Sequence, residues 1–178
     1  MLIPEAFVCA DTLPETECLA LFPGAVIGSP YDPAAEMLRA AGITLSSGAP
    51  VREFTAKSIP AGHVLAAAAV PLSTDDPAGV ELFSNRLLES VRLADNLGVK
   101  EFSLLSLPTE KYDSRLFSFN TVLFRVLMQE REDHPSLERI RFFCQTATDA
   151  DWLSRVYNFY YPAEKSERMS APVQYRKL

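Results

Sequence analysis

Short apolar runs alternate along the chain with longer segments whose apolar residues recur every three or four positions, and that alternation predicts a sheet covered by helices on both faces. The runs 6–9, 25–28, 64–70, 102–106 and 140–144 are largely apolar, bounded by turn or polar residues, and too short for helices. They predict buried strands. From 77 to 97, Val80, Phe83, Leu87, Leu88, Val91, Ala94 and Leu97 form one helical stripe. Asp75 or Asp76 is placed to cap it, Pro77 suits its first turn, and Gly98 suits the position just past its end. A second helix is expected over 116–132, with Leu116, Phe119, Val122, Leu123, Val126 and Leu127 on one face and Asp113 or Ser114 as cap. Shorter helices are expected at 14–22, where Thr12 and Glu15 have capping-box spacing, at 33–41, ended by Gly42, and at 148–159.

These elements need one domain, which 178 residues supply with a full core. It is assigned to 1–160. Residues 161–178 are polar and lack the apolar periodicity needed to pack, so they predict a mobile extension or a partner-docking arm. The formal net charge is −6; residues 160–178 hold +2 of it, which leaves −8 on the body. An acidic body disfavours non-specific contact with a nucleic-acid backbone, and no nucleic-acid partner is expected.

Candidate chemistry is narrowed further by what the composition withholds. Two His and three widely spaced Cys assemble neither the familiar zinc spacings nor a disulfide framework. No metal and no cofactor are expected, and a reducing compartment, the cytoplasm, is the simpler reading. Glu5, Asp11, Glu15 and Glu17 interrupt the first apolar residues, and the longest apolar run, 64–72, is about half the ~20 residues of a membrane helix. No membrane association is expected. The seven Gly fall no closer than four apart, whereas an average chain of this length holds about twelve. No glycine-rich phosphate loop is available.

In a three-layer α/β domain, ligands sit outside the carboxyl ends of the strands, where loops and helix N-termini converge. The functional question therefore rests on the loops 29–32, 107–114 and 145–148, which follow three of the predicted strands.

The order of elements now resembles a known family. Arg39-Ala40-Ala41-Gly42 closes a helix after the second strand, Pro60-Ala61-Gly62-His63-Val64-Leu65 opens a central strand, and a long helix runs to Gly98. Together these resemble the macrodomain family over roughly residues 5–160. The resemblance implies a three-layer α/β/α sandwich with a mixed central sheet, and a ligand of the ADP-ribose or adenine-nucleotide class. In that family an Asp in a Gly-Asp-Ile-Thr segment contacts the adenine amino group, and Ala10-Asp11-Thr12-Leu13 is the matching segment here. A carboxylate at Asp11 suits that role because it accepts a hydrogen bond from an exocyclic amine.

The rest of the family pattern is altered. Where the family has Asn-Ala-Ala-Asn and a glycine-rich loop after the second strand, this chain is read as Ile27-Gly28-Ser29-Pro30-Tyr31-Asp32-Pro33, in which two prolines remove amide donors. Asp32 and Glu36 bring negative charge there; a carboxylate about 4 Å from a phosphate oxygen repels it by roughly 4 kcal/mol at an effective dielectric of about 20. The second phosphate loop reads Leu107-Pro108-Thr109-Glu110-Lys111-Tyr112-Asp113-Ser114, with the aromatic retained and both glycines absent. By resemblance, Asp11 takes the base. Gly28, Ser29, Pro108, Thr109, Lys111 and Tyr112 shape the phosphate and sugar pocket, and Gln145 and Thr146 border the adenine. The Asn and acidic residue of hydrolysing members have no counterpart after Gly28, so catalysis is not expected. A competing reading keeps the fold as a protein-interaction module, docking through Trp152, Tyr157, Phe159, Tyr160, Tyr161 and the tail. A third makes it a hydrolase using Asp32, Glu36 or Glu110, whose spacing nothing fixes.

Overall fold

A computed structural model describes residues 3–8, 13–23, 32–68, 77–105, 126, 136–144 and 146–160, with only the backbone at 3–8, 152 and 156–160. In chain order the described elements are β1 (Ile3–Val8), β2 (Thr16–Leu21), α1 (Pro33–Ala40), β3 (Arg52–Phe54), β4 (Ala61–Ala66), α2 (Pro77–Asn96), β5 (Glu101–Leu105), β6 (Arg139–Cys144) and α3 (Ala147–Tyr160). The strands form one mixed sheet in the order β1-β6-β5-β2-β4-β3. All its neighbours run parallel except the edge pair β3 and β4.

Alternate residues of a strand face opposite sides of the sheet, and the core divides accordingly. Cys18, Ala20, Leu65, Phe102, Leu104, Ile140, Phe142 and Cys144 pack with Phe83, Leu87, Val91 and Ala94 of α2, with Val126, and with Ala150 and Leu153 of α3. Leu19, Leu21, Val64, Ala66 and Phe143 pack with Ala34 and Leu38 of α1 and with Ile59. The sheet is thus a middle layer with α1 on one face and α2 on the other. Full burial of a Leu or Phe side chain is worth roughly 1.5–3 kcal/mol, and β2 alone buries Leu19 and Leu21 completely.

One expectation needs correction. The segment 14–22 is expected to be a helix, yet Thr16–Leu21 is a central strand, hydrogen-bonded in register to β4 and β5. A strand buried on both faces reads as a continuous apolar run instead of an alternating one, and the local capping-box spacing of Thr12 and Glu15 is overridden by that burial. The second strand is consequently β2, and the predicted strand 25–28 lies outside the described residues. The helix expected over 116–132 also lies outside them, apart from Val126, which is helical and buried.

The other helices follow the sequence signals closely. Both α1 and α2 end in the same way. Gly42 donates to the Arg39 carbonyl and Ile43 to that of Leu38, while Gly98 donates to Asp95 and Val99 to Ala94. Gly42 and Gly98 hold φ of 70° and 71°, a left-handed conformation that costs a side-chain-bearing residue more.

Candidate functional site

The parallel strands place their last residues, Val8, Leu21, Ala66, Leu105 and Cys144, at one end of the sheet. From neighbouring strands β2 and β5 the chain leaves in opposite directions. After β2 it passes through α1 toward β3 and β4, and after β5 it returns at β6 on the other side. Such a reversal opens a crevice at the carboxyl ends, the usual ligand position of an α/β sheet. The candidate site is therefore the end of β2 and β5.

The sequence-predicted ligand residues all follow strand ends at this side in the order of the chain. Asp11 comes three residues after Val8, Pro108, Thr109, Lys111 and Tyr112 come three to seven after Leu105, and Gln145 directly follows Cys144. Asp11, Gly28, Ser29, Pro108, Thr109, Lys111, Tyr112 and Gln145 lie outside the described residues. β2 ends at Leu21, and the chain leaves it through Phe22 and Pro23. Phe22 is a residue the sequence reading missed. Its half-buried ring stands edge-on to Phe83 of α2, with centroids 5.7 Å apart and planes 72° to one another, a favoured aromatic geometry. The run Cys18–Phe22 closed by Pro23-Gly24 is the signal that would have ended the strand there.

Thr146 is exposed and acts first as a helix cap. Its hydroxyl accepts from the Asp149 backbone N–H at 3.1 Å and donates to the Asp149 carboxylate at 2.8 Å, a reciprocal box at the start of α3. Asp149 itself is 3% exposed. At the start of α1, the Asp32 carboxylate accepts from the Ala35 N–H at 2.9 Å. Pro33 occupies the first helical position and Glu36 the first turn. Asp32 and Glu36 are thus helix-terminal charges. Trp152, Tyr157, Phe159 and Tyr160 lie on α3 with side chains outside the described residues, and Tyr161 lies beyond them altogether.

The amino half of the sheet holds a second polar group of residues. Thr16 Oγ1 lies 2.5 Å from Ser103 Oγ and donates to Glu101 Oε1 at 2.9 Å. Arg141 donates to the same Glu101 oxygen at 2.9 Å. The Glu17 carboxylate accepts from the backbone N–H groups of Lys100 and Glu101 at 2.9 and 3.0 Å. These contacts tie β2, β5 and β6 together away from the carboxyl-end crevice.

Cys18 stands opposite His63 in the β2–β4 register, and His63 Nδ1 lies 2.6 Å from Glu53 Oε1. The series has the residue types of a nucleophile, a base and an orienting acid. Its chemistry is otherwise: Cys18 is fully buried, and burial first, then the negative charges of Glu53 and Glu17, push its thiol up to about 12. A protonated, enclosed thiol is a small hydrophobe and not a nucleophile. Among the described residues no group of three His, Cys, Asp or Glu is arranged to hold a metal ion, and no helix is long and apolar enough to cross a membrane.

No family model matches the sequence, and no curated protein matches it. Solved structures do share its fold. A variant of the Oceanobacillus iheyensis macrodomain, solved with ADP-ribose, superposes with a TM-score of 0.68 at 14% identity, covering 88% of this chain and 92% of that one. The macro domain of ganglioside induced differentiation associated protein 2 gives 0.63 at 12% identity over 82% and 77% of the two chains. The Trypanosoma brucei macrodomain, solved in complex with ADP-ribose, gives 0.58 at 14% identity over 78% and 62%. The fold is that of a macrodomain.

Proposed function

Taking the macrodomain fold as premise, we propose that this chain binds ADP-ribose or a related adenine nucleotide at the carboxyl ends of β2 and β5, and does not hydrolyse it efficiently. The observation that carries this reading is the strand reversal at β2 and β5 in a fold whose similar structures were solved with ADP-ribose or ADP. Asp11 takes the adenine amino group. Gly28 and Ser29, together with Pro108, Thr109, Lys111 and Tyr112, line the sugar and phosphate side, and Gln145 and Thr146 border the base.

The absence of efficient hydrolysis is supported by the chemistry near the crevice. The residues that open the loop after β2 are Phe22 and Pro23, which offer no side-chain hydrogen bond to position a water or a sugar hydroxyl. The two described thiols, Cys18 and Cys144, are fully buried. His63 is the third residue of β4, at the amino half of the sheet.

Calorimetric titration and thermal shift with ADP-ribose, ADP, AMP and adenosine test the reading. Ligand at about a hundred times its dissociation constant raises stability by about 2.7 kcal/mol, and Asp11→Ala weakens whichever of them binds. Absence of any shift with all four at millimolar concentration sinks it, and leaves the fold as an interaction module. Release of ADP-ribose from a modified protein would reverse the statement on hydrolysis.

A further inference from the structure

We infer that residues 43–58 form a hinged cover over the β4 edge of the sheet, latched to α2 by Arg86 and Glu89, and that this cover opens as one unit. The device operates without any ligand.

No residue from Ile43 to Ser58 is fully buried, and the core resumes only at Ile59, which is 4% exposed. The strand beneath is the reverse: Val64, Leu65, Ala66 and Ala67 are each at most 1% exposed. The segment bends round the sheet edge, for Ile43, Leu45, Phe54 and Ala56 rest against the core on the α1 face and Val51 against that on the α2 face. Its one strand, β3, pairs three residues with β4 and is the last strand of the sheet among the described residues. A segment that contributes no fully buried side chain opens at a lower free energy than the strands that carry the core. Its limits are fixed. Gly42, with φ of 70°, closes α1 before it, and the Pro60 carbonyl accepts from the Thr16 N–H of β2 at 3.0 Å after it.

Two side chains of α2 hold the strap between α1 and β3. Arg86, with a side chain 12% exposed, donates to Glu89 Oε2 at 2.7 Å and to the Gly48 carbonyl at 3.0 Å. The same Glu89 oxygen accepts from the Val51 N–H at 3.3 Å. Both of these bonds from the strap end on one ion pair, so removing Glu89 loosens both. Beyond the latch, Glu53 Oε1 meets His63 Nδ1 of β4 at 2.6 Å. When the cover opens, the backbone groups of Val64, Leu65 and Ala66 that faced β3 lose their partners in an apolar strand, and such an edge is a template for pairing with another chain. The cover therefore decides whether the sheet can be extended on this side.

Hydrogen exchange of the full chain, followed amide by amide by NMR, is the test, with trypsin under native conditions as a second measure. In the unaltered chain the hydrogen-bonded amides of 43–58, and those of β4 that pair with β3, share one opening equilibrium and exchange about tenfold or more faster than β5 and β6. Glu89→Ala keeps a good helix former in α2 and removes the catch. It speeds exchange at all of these amides by about tenfold, as expected for the loss of a charge-assisted bond, and leaves β5 and β6 unchanged. Glu81→Ala, an exposed position of the same helix, changes neither. Trypsin cuts after Arg52 and Lys57, both exposed, and does so faster in Glu89→Ala by the same factor. Protection of these amides equal to that of β5 and β6 in the unaltered chain overturns the inference. So does a Glu89→Ala effect confined to Val51, or one spread equally over every strand.

Discussion

The two ends of the sheet use their polar side chains in opposite ways. At the amino half, Thr16, Glu101, Ser103 and Arg141 bond across strands to residues 40 to 87 positions away. At the carboxyl end, Asp32 and Thr146 bond to residues three positions on, within their own helix starts. Long-range bonds fix which strand lies beside which and in what register. Local bonds fix a helix end and leave the neighbouring loop free to take any sequence. A fold divided in this way keeps its architecture while the sequence at its carboxyl end changes, and this chain superposes on macrodomains over most of its length at 12–16% identity.

The strongest way to break this comparison is Arg141→Met. It takes the cation from the Glu101 carboxylate, whose side chain is only 15% exposed and which keeps the bond from Thr16, and the expected loss is about 2–4 kcal/mol in urea unfolding. Next comes the alkaline limb of stability. The Cys18 thiol keeps its proton in the fold to about 12 but gives it up near 9.0 in the unfolded chain. Between those values the folded state binds more protons, so stability falls as pH rises, by up to about 1.4 kcal/mol per pH unit from this group. It is unaffected below pH 9. Cys18→Ala, followed by denaturation at pH 8 to 11, should flatten that limb relative to the unaltered chain.

Thr146→Ala removes a cap at the carboxyl end and should cost about 1 kcal/mol by the same unfolding assay. If it costs as much as Arg141→Met, the contrast between the two ends fails. The smallest effect belongs to Glu138→Gln. Lys100 and Glu138 share a hydrogen bond that raises the one and lowers the other, yet both are exposed, and solvent screens the pair. Its thermal midpoint should match that of the unaltered chain.

Helices were the most legible part of the sequence because their signals are local. Gly42, Gly98, Pro33 and Pro77 mark α1 and α2 to within a residue or two. Strands were harder because what makes β2 a strand lies in β4 and β5. Five apolar residues from Cys18 to Phe22 fit either element until their neighbours are known. The edge strand β3 went unread for a different reason: three residues, Arg52, Glu53 and Phe54, offer too little pattern, and short charged strands are what sheet edges favour. The carboxyl-end site was legible as a location, since strand ends follow from strand order. Of its expected residues only Thr146 is among those described, because the rest belong to loops and not to the strands whose ends mark the place.

The strand order also sets a schedule. In β1, Ile3 pairs with Arg139 and Val8 with Cys144, partners 136 residues apart in the chain. Such closure is slow, because the entropy of the long loop is lost before any contact rewards it. During synthesis the first strand must wait unpaired until nearly all of the domain has left the ribosome. The sheet is therefore completed at its β1 edge only when the earliest and latest of its described strands meet.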